Sequence, residues 1–226
     1  YDPVKEADAA IARIRSLDLA GYVIDAQAEY KQPGKDVAAR QFMARLRAAL
    51  PSYPIALSSY RYPSYHPQFP WKPFLEKVDL NMPQVYWLLS HNPGDQLTRC
   101  MQEFQSMTPY RPVIPTGAAF KQGTWSPTDA DILDFFQTAQ RLNLPAANYW
   151  EWSNCRQFLP DTWKRISEYK WEQPAVKEDI VKQYIAALNS HEPGKVTSLY
   201  QPTAVHVTTA RTIQGIQPLT AWYASF

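Results

Sequence analysis

The chain has 226 residues, of which 45% are hydrophobic and 19% charged, with a formal net charge of +2. That apolar content supports a sizeable core in one or two domains of roughly 100–200 residues each. Lysine and arginine are scattered rather than gathered into a stripe, which excludes the basic face of a nucleic-acid binder, and no run approaches the roughly 18 apolar residues of a membrane-crossing helix. The two cysteines, Cys100 and Cys155, lack metal-ligand spacing. They read as buried thiols, with a single bridge as the alternative. Aromatic residues are abundant, at 8 Trp, 14 Tyr and 9 Phe, and many fall just after predicted strands. The sequence begins at Tyr1 with neither an initiator Met nor the basic and apolar segments of a signal peptide. The expectation is that further sequence precedes it.

In chain order, residues 3–17 place Ala10, Ile11, Ile14 and Leu17 at helical spacing. Tyr22-Val23-Ile24 predicts a strand that runs out through Asp25-Ala26-Gln27-Ala28-Glu29. A helix follows over 36–50, with Phe42, Leu46 and Leu50 on one face, stopped by Pro51 and Pro54. The pattern then repeats. Strands are predicted at 55–59, 80–87, 112–117 and 146–152, and helices at 71–77, 95–107, 126–142 and 159–169. Ser126 followed by Pro127 reads as the N-terminal cap and first turn of the helix over 126–142.

Five strand-to-helix units in strict alternation predict a parallel sheet with helical crossovers. A doubly wound sheet usually carries a glycine-rich phosphate turn after its first strand, and none is present. Short strands ending in polar or aromatic residues fit a barrel, whose site lies at the C-terminal ends of its strands. The expected fold is therefore α/β, a (β/α)8 TIM barrel represented by its last five units over 1–170, with a missing N-terminal barrel segment as its partner. Residues 171–175 read as a linker. Beyond it, over 176–226, the grammar changes to helices at 176–190 and 195–200, strand-like runs at 205–208 and 211–215, and a helix at 217–226. The runs Ile185 to Pro193, Leu199 to His206 and Ile213-Gln214-Gly215 resemble the start of a SnoaL-like (nuclear transport factor 2-like) domain. The resemblance implies a partial, cone-shaped α+β domain.

Candidate chemistry clusters at the ends of the predicted strands. Asp25, Gln27 and Glu29 are spaced by two, so in an extended strand they point the same way and converge on the barrel mouth. Glycosidic cleavage needs a protonated carboxylic acid at the leaving oxygen and a second group that stabilises the sugar cation. A carboxylate in this position also has simpler roles, capping the next helix or pairing with Lys31 or Arg61. Tyr22 to Tyr30 resembles the fourth-strand signature of chitinase-like family 18 glycoside hydrolases, and is similar to the Asp-x-Glu strand of family 25 lysozymes. Met82-Pro83-Gln84-Val85-Tyr86-Trp87 resembles the sixth chitinase strand, and Tyr149-Trp150-Glu151-Trp152 the eighth. The resemblance implies Glu29 as general acid with Asp25 tuning it. It also implies Tyr86, beside Gln84, as the contact to an N-acetyl group, and Trp150 or Trp152 as the floor of a sugar subsite. Gln27 departs from the pattern, standing where a carboxylate is expected, and an amide cannot change charge.

Glu151 reads either as a second catalytic carboxylate or as a paired structural group. The aromatic loop from Tyr60 to Pro67 either stacks on sugars or covers the barrel. Two functions follow. One is a glycoside hydrolase-like barrel acting on an N-acetylated or cell-wall-type polysaccharide or oligosaccharide, with Glu29 as acid. The other is a catalytically silent carbohydrate-binding or scaffold barrel in which Gln27 marks a lost carboxylate. No cofactor or metal is expected, nor a nucleic-acid or membrane partner, and an extracellular or cell-envelope location is favoured.

Overall fold

Aliphatic and β-branched runs too short to be stable helices form strands here, and the amphipathic segments between them cover the outer face of the sheet. The computed structural model describes residues 2–171, 178–200, 204–207 and 212–225. The chain divides into two units, Tyr1–Trp171 and Glu172–Phe226.

In the first unit the elements run α1 (Pro3–Leu17), β1 (Tyr22–Asp25), α2 (Lys35–Ala49), β2 (Ile55–Tyr60), α3 (Trp71–Leu75), β3 (Leu80–Val85), α4 (Pro93–Gln105), β4 (Thr116–Ala118), α5 (Asp129–Arg141), β5 (Asn148–Trp150), α6 (Trp152–Phe158) and α7 (Pro160–Glu168). The five strands pair in sequence order, all parallel. With helical crossovers between them they form a five-stranded parallel half-barrel, part of a TIM-type barrel. Between sheet and helices lies a continuous core that includes Ile24, Met43, Leu57, Phe74, Trp87, Leu97 and Phe135. Both cysteines are buried and free. Burying a side chain such as Phe135 stabilises the fold by about 1.5–3 kcal/mol.

Local rules set several boundaries. Asp2 caps α1 through its side chain, which accepts from the Val4 and Lys5 N–H groups at 3.1 Å. Gly117 in β4 allows its neighbours to close in: a Cβ there would lie 2.7 Å from Tyr149 and 2.9 Å from Phe135. Ser126 is not the cap of α5. Thr128 is, in a reciprocal capping box with Asp131, which returns a side-chain acceptor to the Thr128 N–H, whereas Asp129, three residues beyond Ser126, is the first residue of the helix and pairs with Arg165. Strand β5 stops at Trp150 rather than Trp152, because Glu151 caps a helix that the sequence pattern did not reveal. The Trp150–Glu151 peptide bond is cis.

The second unit holds α8 (Glu178–Asn189), α9 (Pro193–Thr197), an antiparallel pair β6 (Val205–Val207) and β7 (Thr212–Gln214), and α10 (Ile216–Tyr223). Ala187, Val196, Ile213 and Leu219 form its apolar centre. The Tyr223 hydroxyl lies 2.8 Å from both the Tyr184 and Tyr200 hydroxyls. From residue 172 the predicted linker and the start of the helix at Val176 lie outside the described residues, as do Gln201 to Thr203, Thr208, Arg211 and Phe226.

Candidate functional site

Alternation along each strand sends every second side chain into the half-barrel, and the parallel register aligns these side chains into rows. Asp25 pairs with Ser58 and Ser58 with Met82; one step further out, Tyr60 pairs with Gln84, Gln84 with Thr116, and Thr116 with Asn148. Of these residues Asp25, Ser58, Met82, Gln84, Thr116 and Asn148, together with Val23, Gln27, Tyr86 and Trp150, line a cavity of about 600 Å³ at the C-terminal ends of the strands. That is where barrel enzymes keep their sites.

The polar centre of this cavity is tied together. Asp25 Oδ1 accepts from Gln27 Nε2 at 2.9 Å and from Gln84 Nε2 at 3.0 Å, and Gln84 Nε2 also reaches Ser58 Oγ at 3.1 Å. Asn148 Nδ2 is buried and has no hydrogen-bond partner among the described residues. Burial, and then the charge of Asp25, push the Tyr86 phenol well above its usual range, so it acts as a neutral hydroxyl. Trp150 leaves 56% of its surface open beside this group.

Glu29 does not share the cavity. Strand β1 ends at Asp25, and residues Ala28–Lys31 form a 3-10 turn, which breaks the period-two alternation that would have aimed Glu29 inward. Its Oε1 accepts the Gln27 N–H at 2.7 Å. Glu29 lines a second cleft along the open edge of β1, with Glu6, Tyr22, Asp25 and Lys35. Asp25 is thus common to both clefts.

Glu151 is the cap of α6 and faces neither cleft. It accepts from Asn154 N at 2.6 Å and from Ser153 N at 3.2 Å, and the Ser153 hydroxyl and the Asn154 amide hold its carboxyl below the usual range. Trp152, 61% exposed, lines a cavity of about 400 Å³ at the open edge of β5 with Trp163 and Cys155. Tyr60 stacks on His66 with ring centres 3.6 Å apart, at the rim and outside the lining. The sequence reading missed Ser58, Thr116 and Asn148. Their signal is the strand register, which places Ser58 beside Asp25 and the other two in the row of Gln84.

The fold and this mouth define the class as a TIM-type α/β half-barrel with a polar, aromatic-flanked cavity. Among solved structures, the chain is similar to a β-D-glucuronidase from Dictyoglomus thermophilum, with 17% identity and a TM-score of 0.52 over 66% of this chain and 28% of that one. It also matches bee venom hyaluronidase at 16% identity and a TM-score of 0.38, over 59% of this chain and 50% of that one. At such an identity the first likeness shows the fold alone. The chain spans at most half the length of either structure. No protein-family model matches the chain, and no curated protein matches it in sequence.

Proposed function

We propose that the half-barrel is a glycoside hydrolase-like module whose mouth binds an N-acetylated or cell-wall-type glycan. The observation that carries this reading is the cavity itself. It offers acceptors and donors from Asp25, Gln27, Ser58, Gln84 and Tyr86, an unsatisfied amide from Asn148, and an open Trp150 ring. Sugars present hydroxyls that both donate and accept, along with apolar C–H faces that settle on aromatic rings, so this mixture suits them. The likeness to a glucuronidase fold supports a glycoside-handling barrel at that level only.

Hydrolysis is the second reading, favoured by one specific observation: Asp25 and Glu29 line the same cleft at the edge of β1. In it Glu29 is the general acid and Asp25 the group that stabilises the sugar cation. Three additional βα units would close the eight-unit barrel beside these two residues. The second unit is proposed as the start of a SnoaL-like domain.

The test is binding and hydrolysis of chitin oligomers and of peptidoglycan by the protein and its Glu29→Gln variant. Turnover that is lost in the variant while binding persists establishes hydrolysis with Glu29 as acid. Binding without turnover in either protein leaves the glycan-binding module. Absence of both overturns the carbohydrate reading.

A further inference from the structure

We infer that the rim of the mouth carries an anion subsite, built from Lys31, Arg61 and His66, that selects glycans bearing a carboxylate. This deepens the glycan reading above and rests on it.

Lys31 comes from the 3-10 turn after β1, and Arg61 and His66 come from the loop after β2. The Lys31 ammonium lies 2.8 Å from His66 Nδ1 and 4.2 Å above the Tyr60 ring centre. Tyr60 and His66 are themselves stacked. The Arg61 guanidinium lies 5.0 Å over the Tyr62 ring and donates to the Tyr86 backbone carbonyl. Among the described residues neither Lys31 nor Arg61 forms an ion pair, whereas Arg45, Arg47, Arg99 and Arg165 each meet a carboxylate within 3.0 Å.

Both cations act on the same imidazole. Burial holds His66 below its usual proton affinity, and the charges of Lys31 and then Arg61 lower it further. The positive potential at this spot is thus felt inside the protein and is not cancelled there. The neutral ring accepts from Lys31 but supplies no counter-charge to either cation, and an arriving anion would. Lysine and arginine donors to a carboxylate form the stronger, charge-assisted class of hydrogen bond. The location joins this cluster to the glycan cavity. Tyr60 is in register with Gln84, and the carbonyl that Arg61 holds belongs to Tyr86, both of them residues of the lining. A sugar ring seated over Gln84 and Tyr86 would bring a ring substituent to the rim.

The experiment compares one carboxylate-bearing N-acetylated oligosaccharide with the same oligosaccharide after its carboxylates are reduced to alcohols, which removes the charge and keeps the sugar rings and linkages. Binding of each is measured by calorimetry to the full chain at low and at high salt. The acidic form should bind on the order of tenfold more tightly than the reduced form, and salt should erode that difference. Lys31→Met and Arg61→Met should each shrink it, and Lys31→Met should leave the reduced form bound as before. Equal binding of the two forms at low salt overturns the subsite while leaving the glycan reading intact. Failure of both forms to bind overturns both.

Discussion

His66 is partly buried and lies beside two cations, so its imidazole holds a proton poorly. Burial is the largest cause, followed by Lys31 and Arg61. A histidine with a depressed folded value contributes full stability above its unfolded value, near 6.5, and loses it as the pH falls toward the folded value. The expected outcome is a melting temperature that drops between pH 7 and pH 5, with a shallower drop in His66→Gln; parallel slopes would show that the cluster is not coupled to folding. Within the cavity, Asp25 anchors the Gln27 and Gln84 amides. Asp25→Ala should therefore weaken oligosaccharide binding by roughly tenfold or more, since it leaves the Gln27 amide without its acceptor and removes one of the two that orient Gln84, and titration calorimetry reads that loss directly. The position of Asp25 at the cavity was legible from its place at the end of a predicted strand. The direction of Glu29 was not, because it depends on where the strand stops, and a local hydrogen bond to the Gln27 N–H settles that.

At the scale of elements, the sheet depends on close approaches that only small residues allow. Gly117→Ala would drive a methyl group into Tyr149 and Phe135, and overpacking of this kind costs about 1–3 kcal/mol. A lower midpoint in urea with an unchanged slope checks it. Thr128→Ala removes one half of the α5 capping box and should cost about 1 kcal/mol, read in the same way, whereas Ser126→Ala should be close to neutral. The helical periodicity of α5 was plain in the sequence, but its first turn was misplaced, because Ser126-Pro127 and Thr128 offer competing caps. Helix α6 went unseen for a related reason. Seven residues are too few for periodicity to register, and the Glu151 cap that starts it follows a strand of the same aromatic composition.

For the molecule as a whole, the decisive feature is that, among the described residues, β1 and β5 each pair on one side only. In a parallel ladder alternate residues turn their N–H and C=O groups to the unpaired side, and such edges invite further strands. Beside β5 lies the aromatic cavity of Trp152 and Trp163, and the buried Trp171 Nε1 on its wall has no hydrogen-bond partner among the described residues. The 226 residues on their own should therefore associate as concentration rises, as measured by size-exclusion chromatography with light scattering. A monomer that melts cooperatively at all concentrations would show that these edges are silent.

By itself the sequence determined the alternation of strands and helices and the parallel class of the sheet, because period-two and period-3.6 patterns are local. The tertiary structure alone decided which residues meet. Register sets Ser58 beside Asp25 and places Gln84, Thr116 and Asn148 in one row. Loop closure gathers Lys31 from the turn after β1 and Arg61 and His66 from the loop after β2 onto one rim. These are contacts between residues far apart in the chain, and they are fixed by hydrogen-bond pairing between strands and by curvature of the sheet, to which a linear pattern is blind.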